Sequence, residues 1–534
     1  MMNKTQRMTG LLMAVLIMPF AKLNAQNQQA EKIDALLNMI AYQYVDSVDE
    51  KQLSDDAIRA ILKDCDPHSV YIPAEDLKGV NEPLLGKFEG IGVQFNILDD
   101  TIMVTQTIAG GPSEKLGIRS GDRIVFIESE NVTNIKITNN DVLKRLRGDK
   151  GTKVKVQIYR RGQKDLMEFV ITRDKIPLYS VDASYMATPE IGYIKISRFA
   201  DQTVEEFKEK LKDLKEQGMK SLILDLTGNG GGYLNRAIEL ADEFLSAGKR
   251  EVYTEGRTQS RQEYYSTATG GWEKGKLAVL VDESSASASE IVSGAIQDWD
   301  RGIIIGRRTF AKGLVQKPYP LPDGSAVRLT IARYYTPSGR CIQKPYEKGA
   351  KGDEEYDMDL SQRYQKGELY SLDSIKLNDS LKYYTNAKRT VYGGGGILPD
   401  VFVPLDTSMN SSYYDDLRRK GVMSDYALTY TDNNRKTLLK DYADVYAFKK
   451  TFDLSEQVMA GFFAFAEKKE VKRDDVGYAR SEKLIKTQLK ALIARDLWNT
   501  NAYYVMINDI NSFYQKALVS MDDATFSKLK VAEK

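Results

Sequence analysis

The run Leu222-Ile223-Leu224-Asp225-Leu226 is almost unbroken in its apolar character and opens directly into Gly228-Asn229-Gly230-Gly231-Gly232. Such a run reads as a strand buried on both faces, the signature of a parallel sheet held between two layers. Glycines directly after a buried strand let the backbone approach a ligand closely and leave N–H groups free to bind it. The flanking pattern alternates in the same sense. A strand at Gly192–Ile196 precedes a helix over Thr203–Gln217, whose Val204, Phe207, Leu211 and Leu214 share one face. A helix from Asn235 to Leu245 follows the glycines, and Leu277–Val281 supplies the next strand. A phosphate loop is excluded by the missing GKS/T ending, and the glycines do not match a GxGxxG dinucleotide fingerprint.

That next strand ends in Glu283-Ser284-Ser285-Ala286-Ser287-Ala288-Ser289-Glu290, and the chain then reaches Thr309-Phe310-Ala311-Lys312-Gly313 with Gln316 beyond. A serine hydroxyl is a poor nucleophile until a partner takes its proton. Lysine can be that partner if desolvation brings its ammonium, of pKa roughly 10.4 when unperturbed, to the neutral form. Ser287 and Glu290 also fit a capping box, so the residues alone leave Ser287 two roles, helix cap or nucleophile. A strand-to-helix turn favours the second, because a helix N-terminus offers positive potential to an oxyanion. GxSxG is absent, which excludes the α/β-hydrolase elbow.

Composition narrows the function classes. The chain has 534 residues, enough for several domains, and a formal net charge of +1. No long-range field draws it to nucleic acid or to a membrane surface. Its one histidine is His68, and neither HExxH nor CxxC occurs, so no metal or other cofactor is expected. His68 follows Pro67 and reads as a structural turn residue. Cys65 and Cys341 are expected to be free and buried rather than paired.

Lys4 and Arg7, the apolar stretch Leu11–Phe20 and Leu23-Asn24-Ala25 form a signal peptide over residues 1–25, implying export to the periplasm without permanent membrane insertion. Residues 26–87 read as a helical region, with Ile33, Leu36, Leu37 and Ile40 on one stripe and Ile58, Ile61 and Leu62 on another. Residues 88–174 read as short strands with two short helices, entered through Gly90-Ile91-Gly92-Val93 and turned at Gly121-Asp122. This unit resembles a PDZ domain. The resemblance implies that the Gly90–Val93 loop holds a terminal carboxylate while the adjoining strand edge takes an extended peptide. Val142 and Leu146, one helical turn apart, are the candidates for an apolar wall against its last side chain.

Residues 175–346 are assigned to the α/β core, 347–392 to an inserted surface segment rich in charge and tyrosine, 393–406 to a return of the core, and 407–534 to a helical domain. Two stripes, Ile485, Leu489, Leu492 and Ile493, then Tyr503, Ile507, Ile510 and Tyr514, give that domain a small core of its own. Pairing of the helical termini in a homo-oligomer is the alternative use of these stripes.

The order of Asp66-Pro67-His68, the PDZ-like unit, Leu224-Asp225-Leu226, Asn229–Gly232, Ser285–Glu290, Thr309–Gly313 with Gln316, and Gly396-Ile397-Leu398-Pro399-Asp400 is similar to that of the C-terminal processing (tail-specific) peptidases. The resemblance implies an α+β multidomain protein with a PDZ-like β-module, an α/β protease core and helical N- and C-terminal regions. It implies Ser287 as nucleophile, Lys312 as general base and Gln316 as the residue orienting Lys312. It places the oxyanion hole on the N–H groups of Gly232 and Ala288, and makes protein tails with free C-termini the partners. Thr227 and Ala311 stand where the family usually has arginine and glycine, and Asp298 matches an acid for which a salt bridge is expected. An inert PDZ scaffold and a Ser-Lys amidase acting on non-protein amides are the readings from other classes.

Overall fold

The computed structural model describes residues 28–347 and 350–531, so the signal-peptide assignment lies outside the described residues. The chain divides into two compact units. One contains the N-terminal segment up to Glu75 with Gln316–Thr330 and Tyr346–Asp357; the other contains Asp76–Val315, Ile331–Pro345 and Met358–Lys534.

In the first unit a helix over residues 28–43 precedes the helix Glu50–Lys63. Asp49 caps the latter by accepting from the Gln52 amide. The apolar stripe of the first helix stays largely in solvent, with Ile33 44% and Leu36 50% exposed. The region is also less helical than its periodicity predicts. Val70–Ile72 is a strand, paired antiparallel with Ala326–Arg328. Three β-branched or aromatic residues are too short a run to declare themselves, and the remote partner decides them. Asp66 holds the turn before this strand: its Oδ1 accepts from the His68 and Ser69 amides, and its Oδ2 accepts from Ser69 Oγ at 2.6 Å. The His68 ring meets Tyr356 Oη at 2.9 Å, a structural contact at a turn. Cys65 is exposed rather than buried, since it lies just past the end of its helix, and both cysteines are free.

The second unit is built on a six-stranded sheet, in order Val181–Met186, Ile191–Ile196, Ser221–Asp225, Lys276–Val281, Ile303–Gly306, Val401–Phe402. The first pair is antiparallel and the rest are parallel. Alternation along each strand sends Ile194, Leu222, Leu224 and Val279 to one face, packed with Phe207, Leu211 and Leu240 from the crossover helices Thr203–Glu216 and Leu234–Asp242. Tyr193, Ile223, Leu280 and Ile305 point to the opposite face. The helices beyond Ser411 cover it, and their Phe462, Leu489, Ile493 and Val505 share one buried cluster with the sheet. The C-terminal helices therefore do not close on a small core of their own. A sheet with apolar residues on both faces requires a second layer, and these helices are that layer.

A PDZ-like module occupies the stretch between paired entry and exit strands, Lys87–Gly90 and Asp174–Pro177. Its sheet runs Val93–Leu98, Thr101–Thr107, Arg123–Ile127, Lys153–Tyr159, Met167–Thr172, which leaves Val93–Leu98 at an edge. Leu98 and Met103 form a buried cluster with Leu428 of the C-terminal helices, and Arg123 pairs with Asp432 at 3.4 Å. Among the described residues no helix is long and apolar enough to cross a membrane.

The segment read as an inserted surface element buries several residues, Arg363 and Leu369 among them. Asp298, at the end of the helix Ala288–Asp298, forms a fully buried pair with Arg340 at 2.8 Å and also accepts from the Ser338 amide. Removing one partner of such a pair strands the other charge in low dielectric. Asp298→Ala is predicted to cost about 3–5 kcal/mol in denaturant unfolding. A loss under about 1 kcal/mol, the size of an exposed pair, would contradict it.

Candidate active site

Three backbone segments of the second unit meet beyond the C-terminal ends of the parallel strands. The glycine loop leaves Ser221–Asp225, the serine cluster leaves Lys276–Val281, and the lysine loop leaves Ile303–Gly306. Buried polar groups join the first two. Asp282 Oδ1 accepts from the amides of Gly228, Ser284 and Ser285, at 2.9 to 3.0 Å. The Asn229 carbonyl accepts from the Ala286 amide and from Ser289 Oγ.

These bonds separate Ser285, Ser287 and Ser289. Ser285 is buried and donates to the Leu226 carbonyl at 2.8 Å; Ser289 is buried and donates to the Asn229 carbonyl at 2.9 Å. Ser287 is half-buried and stands at the N-cap of the following helix in a capping box with Glu290. Its backbone sits at φ 54°, ψ −109°, a conformation that costs a non-glycine residue on the order of 1–3 kcal/mol and persists only where the surroundings impose it. The helix Ala288–Asp298 starts at the next residue.

Glu290 and Tyr334 join the serine cluster to the lysine loop. Glu290 Oε2 accepts from the amides of Ser287, at 2.8 Å, and Lys312, at 2.9 Å. Its Oε1 accepts from the Ala311 amide at 2.7 Å and from Thr309 Oγ1 at 2.5 Å. Tyr334 Oη reaches the carbonyls of Ser287 and Lys312, at 3.1 and 2.7 Å. Burial pushes the Glu290 carboxyl up to about 7, against the four donors that favour its charged form.

The glycine loop abuts Ser287. A Cβ added at Gly231 would lie 2.9 Å from Ser287 Cβ, and one at Gly232 would lie 2.1 Å from the Phe199 carbonyl oxygen, so neither position admits a side chain. Among the described residues the amides of Gly232 and Ala288 donate to no protein acceptor. Below the loop Thr227 belongs to a network of polar side chains. Its hydroxyl donates to Asp225 at 2.7 Å, and Lys195 pairs with Asp225 at 3.0 Å. Ala311 lies at φ 75°, the left-handed region that explains the glycine usual there.

The structure thus assembles Ser287, Ala288, the glycine loop and the backbone of Lys312 within one unit. Gln316 belongs to the other unit, where its Nε2 meets Thr330 Oγ1 at 3.5 Å and Thr330 Oγ1 donates to Asp66. In the PDZ-like module the carbonyls of Ile91 and Gly92 are taken by Ser113 and by the Ile108 amide. The amides of Ile91 and Gly92 meet no acceptor among the described residues, and Gly90 and Val93 frame them at the ends of strands. Val142 and Leu146, expected to wall a ligand, are 0% and 4% exposed and lie in the module's own core. Thr138 caps their helix and turns that face inward.

Comparison with known proteins finds matches to four families along the chain. Residues 190–356 match peptidase family S41, 90–170 match the PDZ domain, 16–76 match the activating protease CtpB N-terminal domain, and 413–499 match a family of unknown function. The carboxy-terminal processing protease CtpB of Bacillus subtilis is 34% identical over 60% of this chain and 66% of its own length, just under two thirds. The carboxy-terminal-processing protease of Bartonella bacilliformis is 35% identical over 60% of this chain and 74% of its own length. The chain belongs to the carboxy-terminal processing proteases. The solved photosystem II D1 C-terminal processing protease shares 25% identity over 68% of this chain and 85% of its own, at a TM-score of 0.36, an overlay too loose to argue from.

In this carboxy-terminal processing protease, sequence reasoning reads Glu290 only as a capping partner and passes over Thr309 and Tyr334. The serine–glutamate spacing could have flagged the first; nothing local flags the other two, whose partners lie 19 and 47 residues away.

The raised carboxyl gives a signed pH expectation. Protonating Glu290 adds stability that is present below the usual carboxyl range and lost as pH rises to about 7. The four-donor arrangement needs the carboxylate, so activity should move the opposite way and fall as pH drops through that value. Glu290→Gln puts an NH2 donor against N–H groups, and its turnover should drop on the order of 100-fold, as for a small misplacement of reacting groups. Steady-state rates of the purified variant test this; unchanged turnover would remove Glu290 from the role.

Proposed function

We propose that this protein is a periplasmic serine endopeptidase that binds free, apolar C-terminal tails through its PDZ-like module and hydrolyses peptide bonds with a Ser287–Lys312 dyad. One observation carries the reading. Of Ser285, Ser287 and Ser289, the first and last are buried and donate to backbone carbonyls, whereas Ser287 is half-buried, and Glu290 and Tyr334 each tie its backbone to that of Lys312.

In this mechanism Ser287 Oγ attacks the scissile carbonyl as neutral Lys312 accepts its proton. The tetrahedral oxyanion forms against the amides of Gly232 and Ala288, which are pre-positioned at a glycine loop and a helix N-terminus. Lys312 returns the proton to the leaving amine, and water then hydrolyses the acyl-enzyme by the same route in reverse. Gln316 orients Lys312. No metal or organic cofactor enters these steps.

The tail site rests on the edge strand Val93–Leu98 and the amides of Ile91 and Gly92 beside it. An extended peptide added to that edge presents its carboxylate to those amides. Since Val142 and Leu146 are core residues, the apolar selectivity falls to the partly exposed Val93, Phe95 and Leu143.

Ser287→Ala and Lys312→Arg should both abolish cleavage of an unfolded, casein-like substrate while leaving the fold intact, because a guanidinium does not act as a base at neutral pH. Residual cleavage near the wild-type rate by either variant would remove that residue from the dyad. Peptide products exclude an inert scaffold and an amidase restricted to non-protein substrates.

Amidating the tail removes charge-assisted bonds worth about 1.5–3 kcal/mol, hence a loss of roughly tenfold or more in kcat/KM. Equal rates for free and amidated tails would refute tail recognition by the module.

A further inference from the structure

The lysine loop is held on its inner side by Glu290; its outer side is held by residues of the segment 347–392. Arg363, on the helix Asp359–Gln365, is 3% exposed. Its Nη1 donates to the Thr309 carbonyl at 3.2 Å and its Nη2 to the Arg308 carbonyl at 2.5 Å. Among the described residues these two carbonyls receive no other donor. They belong to the residues three and four places before Lys312. Arg308 in turn donates to Glu368 Oε2 at 2.5 Å, and the same carboxylate lies 3.6 Å from Arg363 Nε. Asp359, at the start of that helix, pairs with Lys344 at 3.0 Å, and the Lys344 ammonium stands 4.3 Å from the centre of the Phe310 ring. Arg308, Thr309 and Phe310 are thus each engaged, directly or through Lys344, by residues of one short stretch.

We propose that Arg363 is a positioning residue for the peptidase reaction, fixing the backbone of Arg308 and Thr309 so that Lys312 is presented to Ser287. The proposal rests on the Ser287–Lys312 reading and adds a role for the inserted segment. A guanidinium is suited to it: its rigid fork reaches two carbonyls at once, and charge-assisted bonds to carbonyls are stronger than neutral ones. Because the acceptors are backbone atoms, the brace constrains the course of the loop rather than one side chain. Without it, two buried carbonyls are left without a donor and the loop relaxes toward water. A wetter Lys312 holds its proton to higher pH, which weakens it as a base at neutral pH.

The test compares Arg363→Ala, Arg363→Lys and the exposed-face control Tyr364→Ala with the wild-type enzyme, using an unfolded substrate with a free tail. Arg363→Ala should lose kcat on the order of 100-fold with KM little changed, the penalty of a small misplacement of a catalytic group. The acid limb of its pH–rate profile should move to higher pH, and added guanidinium ion should restore a substantial part of the rate. Arg363→Lys, which reaches one carbonyl only, should fall between the two, and it carries the same measurements if the alanine variant does not fold. Tyr364→Ala should match the wild type. A folded Arg363→Ala or Arg363→Lys enzyme with wild-type kcat and an unmoved acid limb overturns the proposal. So does a lower kcat with no shift of that limb and no response to guanidinium, which would mark Arg363 as structural only. Ser287→Ala is assayed in parallel: cleavage surviving there refutes the dyad itself and is distinguishable from failure of the brace.

Discussion

A buried carboxylate accepting four donors is the contact on which the site depends. Glu290 spends its two oxygens on Ser287, Thr309, Ala311 and Lys312, three of them through backbone amides, so it fixes the path of two loops that the sequence separates by about twenty residues. Burial disfavours its charge more than the convergent donors favour it, which leaves the carboxyl raised to about 7. A lone buried charge would be ruinous; one with every acceptor site filled becomes a rigid joint. Tyr334 repeats the joint from the carbonyl side, and Asp282 with Asn229 does the same for the glycine loop. The groups proposed to react are carried on backbone that is immobilised from beneath, which is how a nucleophile at positive φ is kept in place.

The PDZ-like module is held against the C-terminal helices at several points. Its contacts with the C-terminal helices run through Leu98, Met103 and the turn at Gly121, where a Cβ would lie 2.5 Å from Asp432 Oδ1. Arg435 adds bonds to Ser120 Oγ and the Asp496 carbonyl, both at 2.8 Å. None of these partners belongs to the Gly90–Val93 loop, but Leu98 ends the edge strand Val93–Leu98, so docking and the proposed tail site share that strand.

The fold was legible in the sequence wherever one periodicity governed a whole element. The apolar run at Leu222–Leu226 announces a strand buried on both faces, and the second layer it demands is found in the C-terminal helices. What the run does not disclose is that those helices share the sheet's core, because an apolar stripe such as Ile485, Leu489 and Leu492 looks the same whatever it packs against. Val70–Ile72 is a strand only by virtue of a partner remote in sequence. At the site, the pattern singles out Ser287 and Lys312 as candidates because reactive side chains sit at characteristic turns. The groups that hold them, Tyr334, Thr309 and Arg363, are ordinary polar residues whose meaning comes from folding. Val142 and Leu146 fail as a ligand wall for a related reason: helical spacing identifies a face but not whether core or solvent lies before it.

The shared core has a consequence for the order of events after synthesis. Tyr193, Ile223, Leu280 and Ile305, on the strands that carry the site, have their apolar cover in helices reaching to Phe526 and Val531. Until the last part of the chain has been made and docked, that sheet face remains wet and the loops above it lack a rigid base. The rigid base beneath those loops therefore depends on the docking of the C-terminal helices.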